Sequence, residues 1–208
     1  MGTRSLLAVE DKPGRLHVQY MQFDGYPTCK GKQFYNGVVR GMTEAAGWDE
    51  GGKPGKAFFK RVRHFLDEYQ YQSGHSIGNH FRATLRKFLD ADSWQEWQYW
   101  FDASGDFHVI RTGLDREVII PWGITNAFAE MHYEARDILD GKALDPLWEK
   151  VETWFGDEPG EPACTLADMG IDLAFKGGGV VSLSKAAEKA SNSEIRFVNP
   201  TENVRKER

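Results

Sequence analysis

The pattern that most restricts the fold lies at the start of the chain, where two short period-two runs flank Pro13-Gly14. In the first run Ser5, Leu7 and Val9 alternate with Arg4, Leu6 and Ala8. In the second, Leu16, Val18 and Tyr20 alternate with His17, Gln19 and Met21. Alternation of this kind gives a strand two different faces. Pro presets φ at the first central position of a type II turn, and Gly accepts the positive φ of the second. Residues 3–10 and 15–24 therefore read as a β-hairpin ending in "FDGYP".

Helical spacing takes over next. Phe34, Val38 and Met42 predict a helix over about 32–46, followed by the Gly-rich stretch "GWDEGGKPGK". Phe58, Val62, Phe65 and Tyr69 form one apolar stripe on a helix over 56–71, with Lys56, Lys60 and Arg63 together on another face. A third helix is expected over 76–90, burying Phe81, Leu85 and Phe88 and displaying Arg82 and Arg86. Trp97, Tyr99 and Phe101 then alternate before Ser104-Gly105, which predicts a second hairpin over 94–110.

The opening "GTRS", the "QYMQFDGYP" arm and the "WQYWFDASGDFHVI" hairpin resemble an uncharacterised family of small bacteriophage and bacterial proteins. The likeness covers residues 2–110, and this chain carries Phe23 where such sequences often have Trp before Asp-Gly-Tyr. The resemblance implies a phage-type accessory protein and carries no activity with it.

Beyond residue 111, "REVIIPW" reads as a strand and 126–139 as a helix. "DPLWEKVETWF" reads as a helix with Asp145 as its cap and Pro146 in its first turn. "IDLAF", "KGGG", "SLSKAAEKA" and "EIRFV" follow as strand, loop, helix and strand, and "NPTENVRKER" as a frayed tail. The expected architecture is α+β: an antiparallel sheet from the two hairpins with helices packed on one face, plus a C-terminal α/β extension. Residues 1–112 form the core, and 113–208 extend the same domain or make a small second lobe. Seven Trp and thirteen Phe must supply much of the interior.

Composition narrows the function classes. Two distant cysteines, Cys29 and Cys164, suggest neither a disulfide framework nor a zinc site. No signal segment or membrane-length apolar run is apparent, so a cytoplasmic location (host cytoplasm if phage-encoded) and no membrane partner are expected. The formal net charge is −5, yet residues 53–88 hold eight Lys and Arg against Asp67 and Glu68. A nucleic-acid reader is usually basic overall. This imbalance instead points to an anionic small molecule, nucleotide-like, or to a host protein, and disfavours duplex nucleic acid. A homo-oligomer is compatible with the sequence.

Three places are candidates for chemistry. The hairpin brings Thr3, Arg4 and Ser5 toward Asp24 and Tyr26, where Arg4 holds an anion and Asp24 serves as base, or the two merely neutralise each other. An N-terminal nucleophile mechanism is disfavoured, because removal of Met1 exposes Gly2 and leaves Thr3 without a free amine. The basic residues Lys56, Lys60, Arg63, Arg82 and Arg86 converge in one groove if their helices pack antiparallel, and otherwise form a solvated face. Arg4 and Tyr26 complete this ligand-binding set. "FKGGGVVSLSK" matches neither a Walker A loop nor a dinucleotide fingerprint and reads as a hairpin connection. The histidines show no metal-ligand spacing, and no cofactor is implied. Trp48 and Trp122 fall in expected loops. The favoured reading is a non-catalytic binding protein, including one that interferes with nucleotide-signalled host defence. The alternative is a hydrolase or transferase on a phosphorylated or nucleotide substrate, with Arg4, Asp24 and Thr3 at its site.

Overall fold

A computed structural model describes residues 3–44, 54–72, 80–90, 95–114, 116–130, 144–156, 161, 163–171, 175–177, 180–182, 190 and 193–198. The expectations for Trp48, for the 126–139 helix beyond residue 130, for the helix read from "SLSKAAEKA" between its first and last residues, and for the tail lie outside these residues. The protein is α+β. The first hairpin forms as its alternation demands, β1 (Ser5–Lys12) pairing antiparallel with β2 (Arg15–Met21). After a wide helical turn at Pro27–Gly31 come α1 (Lys32–Glu44) and α2 (Lys56–Gln72).

The expected third helix is corrected. Residues His80–Thr84 form strand β3 against β2, and only Leu85–Leu89 are helical, as α3. Period two within "HFRAT" wins over helical spacing because β2 offers a strand edge to pair with. Thr84 then starts the short helix by accepting a hydrogen bond from Lys87 N.

The second hairpin is β4 (Trp97–Phe101) with β5 (Phe107–Arg111), and β6 (Glu117–Ile120) follows. The helical crossover returns the chain so that β4 lies parallel to β1, and the two hairpins join in a mixed sheet rather than a purely antiparallel one. Helix α4 (Trp122–Glu130) starts four residues before the expected 126. Trp122, expected in a loop, is buried in it against Phe58. Helix α5 (Asp145–Trp154) has Leu144 at its N-cap. Asp145 is its first residue rather than its cap, and its carboxylate pairs with Lys32.

The remaining strands are β7 (Ala163–Cys164), β8 (Phe175–Gly177), β9 (Val180–Ser182) and β10 (Ile195–Val198). Strands β8 and β9 pair antiparallel on either side of the glycine-rich stretch, with Gly177 opposite Val180, which agrees with a hairpin there. The eight-stranded sheet has the order β3-β2-β1-β4-β5-β6-β10-β7, so β6, β10 and β7 extend the sheet of the N-terminal half.

Alternation divides the sheet into two faces. Leu7, Val9, Met21, Tyr99, Phe101, Phe107, Val109 and Phe197 join residues of α1, α2, α4 and α5 in the main core. Phe34 meets Phe101 and Phe107 edge-on at 5.6 and 5.8 Å, and Tyr35 meets Trp148 at 5.5 Å. Such edge-to-face pairs add about 0.5–1.5 kcal/mol to burial alone. On the opposite face Leu6, Ala8, Leu16, Val18 and Trp100 pack with Phe88 of α3, so one short helix lies on the side the sequence reading left bare. No helix of the described residues is long and apolar enough to cross a membrane.

Candidate functional site

The Asp-Gly-Tyr-Pro turn is fastened from several directions. Gly25 N donates to Thr3 O at 3.0 Å, and Lys30 N to Asp24 O at 3.2 Å. A Cβ on Gly25 would lie 2.9 Å from the Arg4 carbonyl carbon and oxygen, so only glycine lets the two backbones meet. The buried Tyr99 hydroxyl donates to Gly25 O at 2.7 Å. Burial, with Glu152 and Cys29 nearby, holds the Tyr99 phenol well above its ordinary range, so it remains a donor. Thr28 Oγ1 donates to Glu152 at 2.7 Å, tying the turn to α5.

Asp24 adopts φ 56°, a left-handed conformation that Asp tolerates better than most residues. The hairpin does bring Thr3 and Arg4 beside the turn, but through backbone. Thr3 is buried, and Arg4 O accepts from Glu96 N and Trp97 N. Asp24 and Tyr26 are exposed.

The basic residues take a different arrangement from the expected groove. Helix α2 covers the main-core face, and Arg63 reaches Asp11 at the end of β1, at 3.3 Å. Farther along, Asp67 lies 3.6 Å from His17 of β2. Lys56, Lys60, Arg63 and Asp67 recur at helical spacing, so this stripe follows the first hairpin. In the register of β2 and β3, His17 opposes Arg82 and Arg15 opposes Thr84. Opposed residues share a face, so Arg82 and Arg15 lie on the α2 side as diagonal neighbours.

Arg86 does not join them. It lies on α3, whose Phe88 packs on the other face, and it pairs with Asp90 at 3.5 Å. Arg15, Lys60, Arg82 and Lys87 are exposed, and no carboxylate among the described residues pairs with them. Positive charge therefore brackets the β3 edge from both faces. Phe81, 43% exposed, and Leu89 stand there as well. The sequence reading missed Arg15 because it treated 76–90 as a helix, which hid the strand that sets Arg15 beside Arg82.

A second polar group also escaped it. On the α3 side of the sheet, His108 lies 2.6 Å from Glu117 and 3.2 Å from Asp102 and stacks on Trp100 at 4.4 Å. Burial alone would lower its pKa, but the two carboxylates outweigh it and push the imidazole up to about 9. Glu10 is buried and accepts from the backbone of both hairpin tips, Gly14 N and, at 3.1 Å, Ala103 N. Asp106 accepts from Trp122 N at 2.8 Å and faces Arg196 at 3.4 Å, and burial is the main cause raising its pKa. The alternation of Gln98-Trp100 and His108-Ile110 placed these side chains on one face, but which carboxylates meet them depends on strand order. No protein-family model, curated protein or solved structure matches the chain.

Proposed function

We propose that this protein is a binding module that holds an anionic partner against the basic end of its sheet, around β3 and the tip of the first hairpin. The observation that carries the reading is the exposed pair Arg15 and Arg82 at the β3 edge, with exposed Lys87 on α3 and Lys60 on the α2 stripe that meets Asp11, none of them paired with a carboxylate among the described residues. In a chain of formal net charge −5, such a concentration attracts anions locally while the rest of the surface repels them. The phage-family resemblance fits a module that works by occupying a host component, including one of nucleotide-signalled defence.

The enzymatic alternative gains less. Asp24 is exposed, and the Arg4 carbonyl and Thr3 carbonyl are engaged in backbone hydrogen bonds. The test is calorimetric titration with tripolyphosphate at low and physiological salt, together with native mass spectrometry after exposure to cell extract. The wild type binds in a salt-dependent way, the Lys60→Glu/Arg82→Glu double variant loses at least about tenfold in affinity, and any captured species is recovered unaltered. Absence of binding at low salt overturns the reading. So does recovery of a converted product that disappears in Asp24→Asn.

A further inference from the structure

Resting on that reading, a narrower assignment of the partner follows from the shape of the basic edge. Strand β3 ends the sheet, with β2 as its only neighbour among the described residues. In an antiparallel pair, alternate residues direct N–H and C=O toward the neighbour and the rest direct them outward. Its five residues, His80–Thr84, therefore offer about 17 Å of edge for another chain to pair with. The opposite end of the sheet is β7, only two residues long.

We propose that β3 receives an extended acidic segment of another protein as an added strand, its acidic side chains facing Arg82 and Arg15 and its apolar ones packing on Phe81. Charge and polarity alternate along β3 as such a partner requires. Arg82 lies on the α2 side with Arg15 diagonal to it. Phe81 lies on the other side, opposite Val18, and is 43% exposed. Beyond the strand, Arg86 and Lys87 continue the positive charge on α3.

A small anion reaches one face of a strand at a time, whereas an extended chain sends side chains to both. A second copy of this protein fits poorly. Antiparallel pairing of β3 with itself about its centre sets Arg82 opposite Arg82, and like charges directly opposed destabilise a pair. Arg82 thus discourages self-association at this edge and favours a partner of opposite charge.

The experiment titrates the full chain with three probes: a soluble synthetic peptide of alternating Glu and Val, its Lys-Val counterpart, and tripolyphosphate. Amide hydrogen exchange is followed across β3. The Glu-Val peptide is expected to bind, to slow exchange at alternate β3 residues, and to outbind the Lys-Val peptide at least about tenfold. Arg82→Glu and Arg15→Glu, each checked for native exchange in β4 and β5, weaken the Glu-Val peptide. Phe81→Ser weakens it with no loss of tripolyphosphate binding.

Binding of tripolyphosphate without the peptide overturns the strand partner and leaves the anion-binding function standing. Failure of every anionic probe overturns both. Peptide binding without protection in β3 overturns strand addition. So does a dimer of the unmixed protein that protects β3.

Discussion

The two hairpin tips make opposite uses of the same device. Each turns on a glycine in the left-handed region, Gly14 at φ 74° and Gly105 at φ 83°. At the second tip the turn is enclosed. Asp102 accepts from Ser104 N and Asp106 N at 2.8 and 2.9 Å, and Asp106 accepts in turn from Trp122 N. A Cβ on Gly105 would lie 2.6 Å from the Trp122 ring and 2.9 Å from Pro54. At the first tip a Cβ on Gly14 meets nothing within 4 Å, and Lys12 and Arg15 stand exposed beside it. One turn is built into the interior with acidic groups fastening it. The other is left in solvent and carries positive charge, which is why the binding surface is assigned to that end.

The comparison breaks most directly by giving both glycines the same methyl group. Gly105→Ala meets two penalties, the left-handed backbone and a collision with an indole ring that is itself packed on Phe58. The combined cost is about 2–5 kcal/mol. Gly14→Ala meets only the first, about 1–2 kcal/mol. Denaturant unfolding of the two variants measures the gap. Equal losses would show that the second tip has room to yield and is no more enclosed than the first.

A smaller effect tests the fastening of the second tip through charge. His108 is raised from 6.5 to about 9 by Asp102 and Glu117. A group whose pKa is raised on folding contributes fully below its unfolded value and loses that contribution as pH climbs through the folded one. Stability from this cluster is therefore complete below about pH 6.5 and declines toward pH 9, by an order of about 3 kcal/mol. Unfolding midpoints measured from pH 6 to 9.5 should fall for the wild type. In His108→Gln they start lower, because two carboxylates have lost their cation, and stay nearly flat across the window. A wild-type profile as flat as the variant's would remove the cluster as a fastening.

How much of this was legible from sequence differs between the same two regions. Local alternation and a turn glycine sufficed for β1, β2, β4 and β5, because period two is written into neighbouring residues. β3 was misread since Phe81, Leu85 and Phe88 satisfy helical spacing as well, and only the free edge of β2 decides between them. The parallel contact of β1 with β4 depends on how the helical crossover returns, which no local pattern encodes. Lys56, Lys60 and Arg63 share a stripe that spacing alone revealed. Their relation to Arg82 required the register, and Arg86 fell on the other face because a strand and a short helix replaced one helix. The Glu10 bridge was hidden for the same reason, since one donor, Ala103, lies 93 residues from Glu10 along the chain and sits at a turn whose neighbour no local pattern reveals.

Glu10 supplies the finest test, because it couples the tips the comparison separates. Its two carboxylate oxygens accept from Gly14 N and Ala103 N, so the solvent-exposed turn is held against the enclosed one by a single side chain. Glu10→Gln keeps the size but has only one acceptor oxygen, and its amide group turns a donor toward the other N–H. One backbone donor is left unsatisfied, a cost of about 1–3 kcal/mol. Hydrogen exchange tells which tip yields. Ala103 belongs to the turn already fixed by Asp102 and Asp106, whereas the first tip has, beside its own strand pairing at Lys12 and Arg15, the bond from Leu85 N to Gly14 O at 3.2 Å. The amide of Gly14 is thus expected to lose more protection than that of Ala103, and β3, which is tied to the first tip through Leu85, to loosen with it. Greater loss at Ala103 would reverse the assignment of the rigid and the adaptable ends, and with it the physical reason for placing a partner at the first.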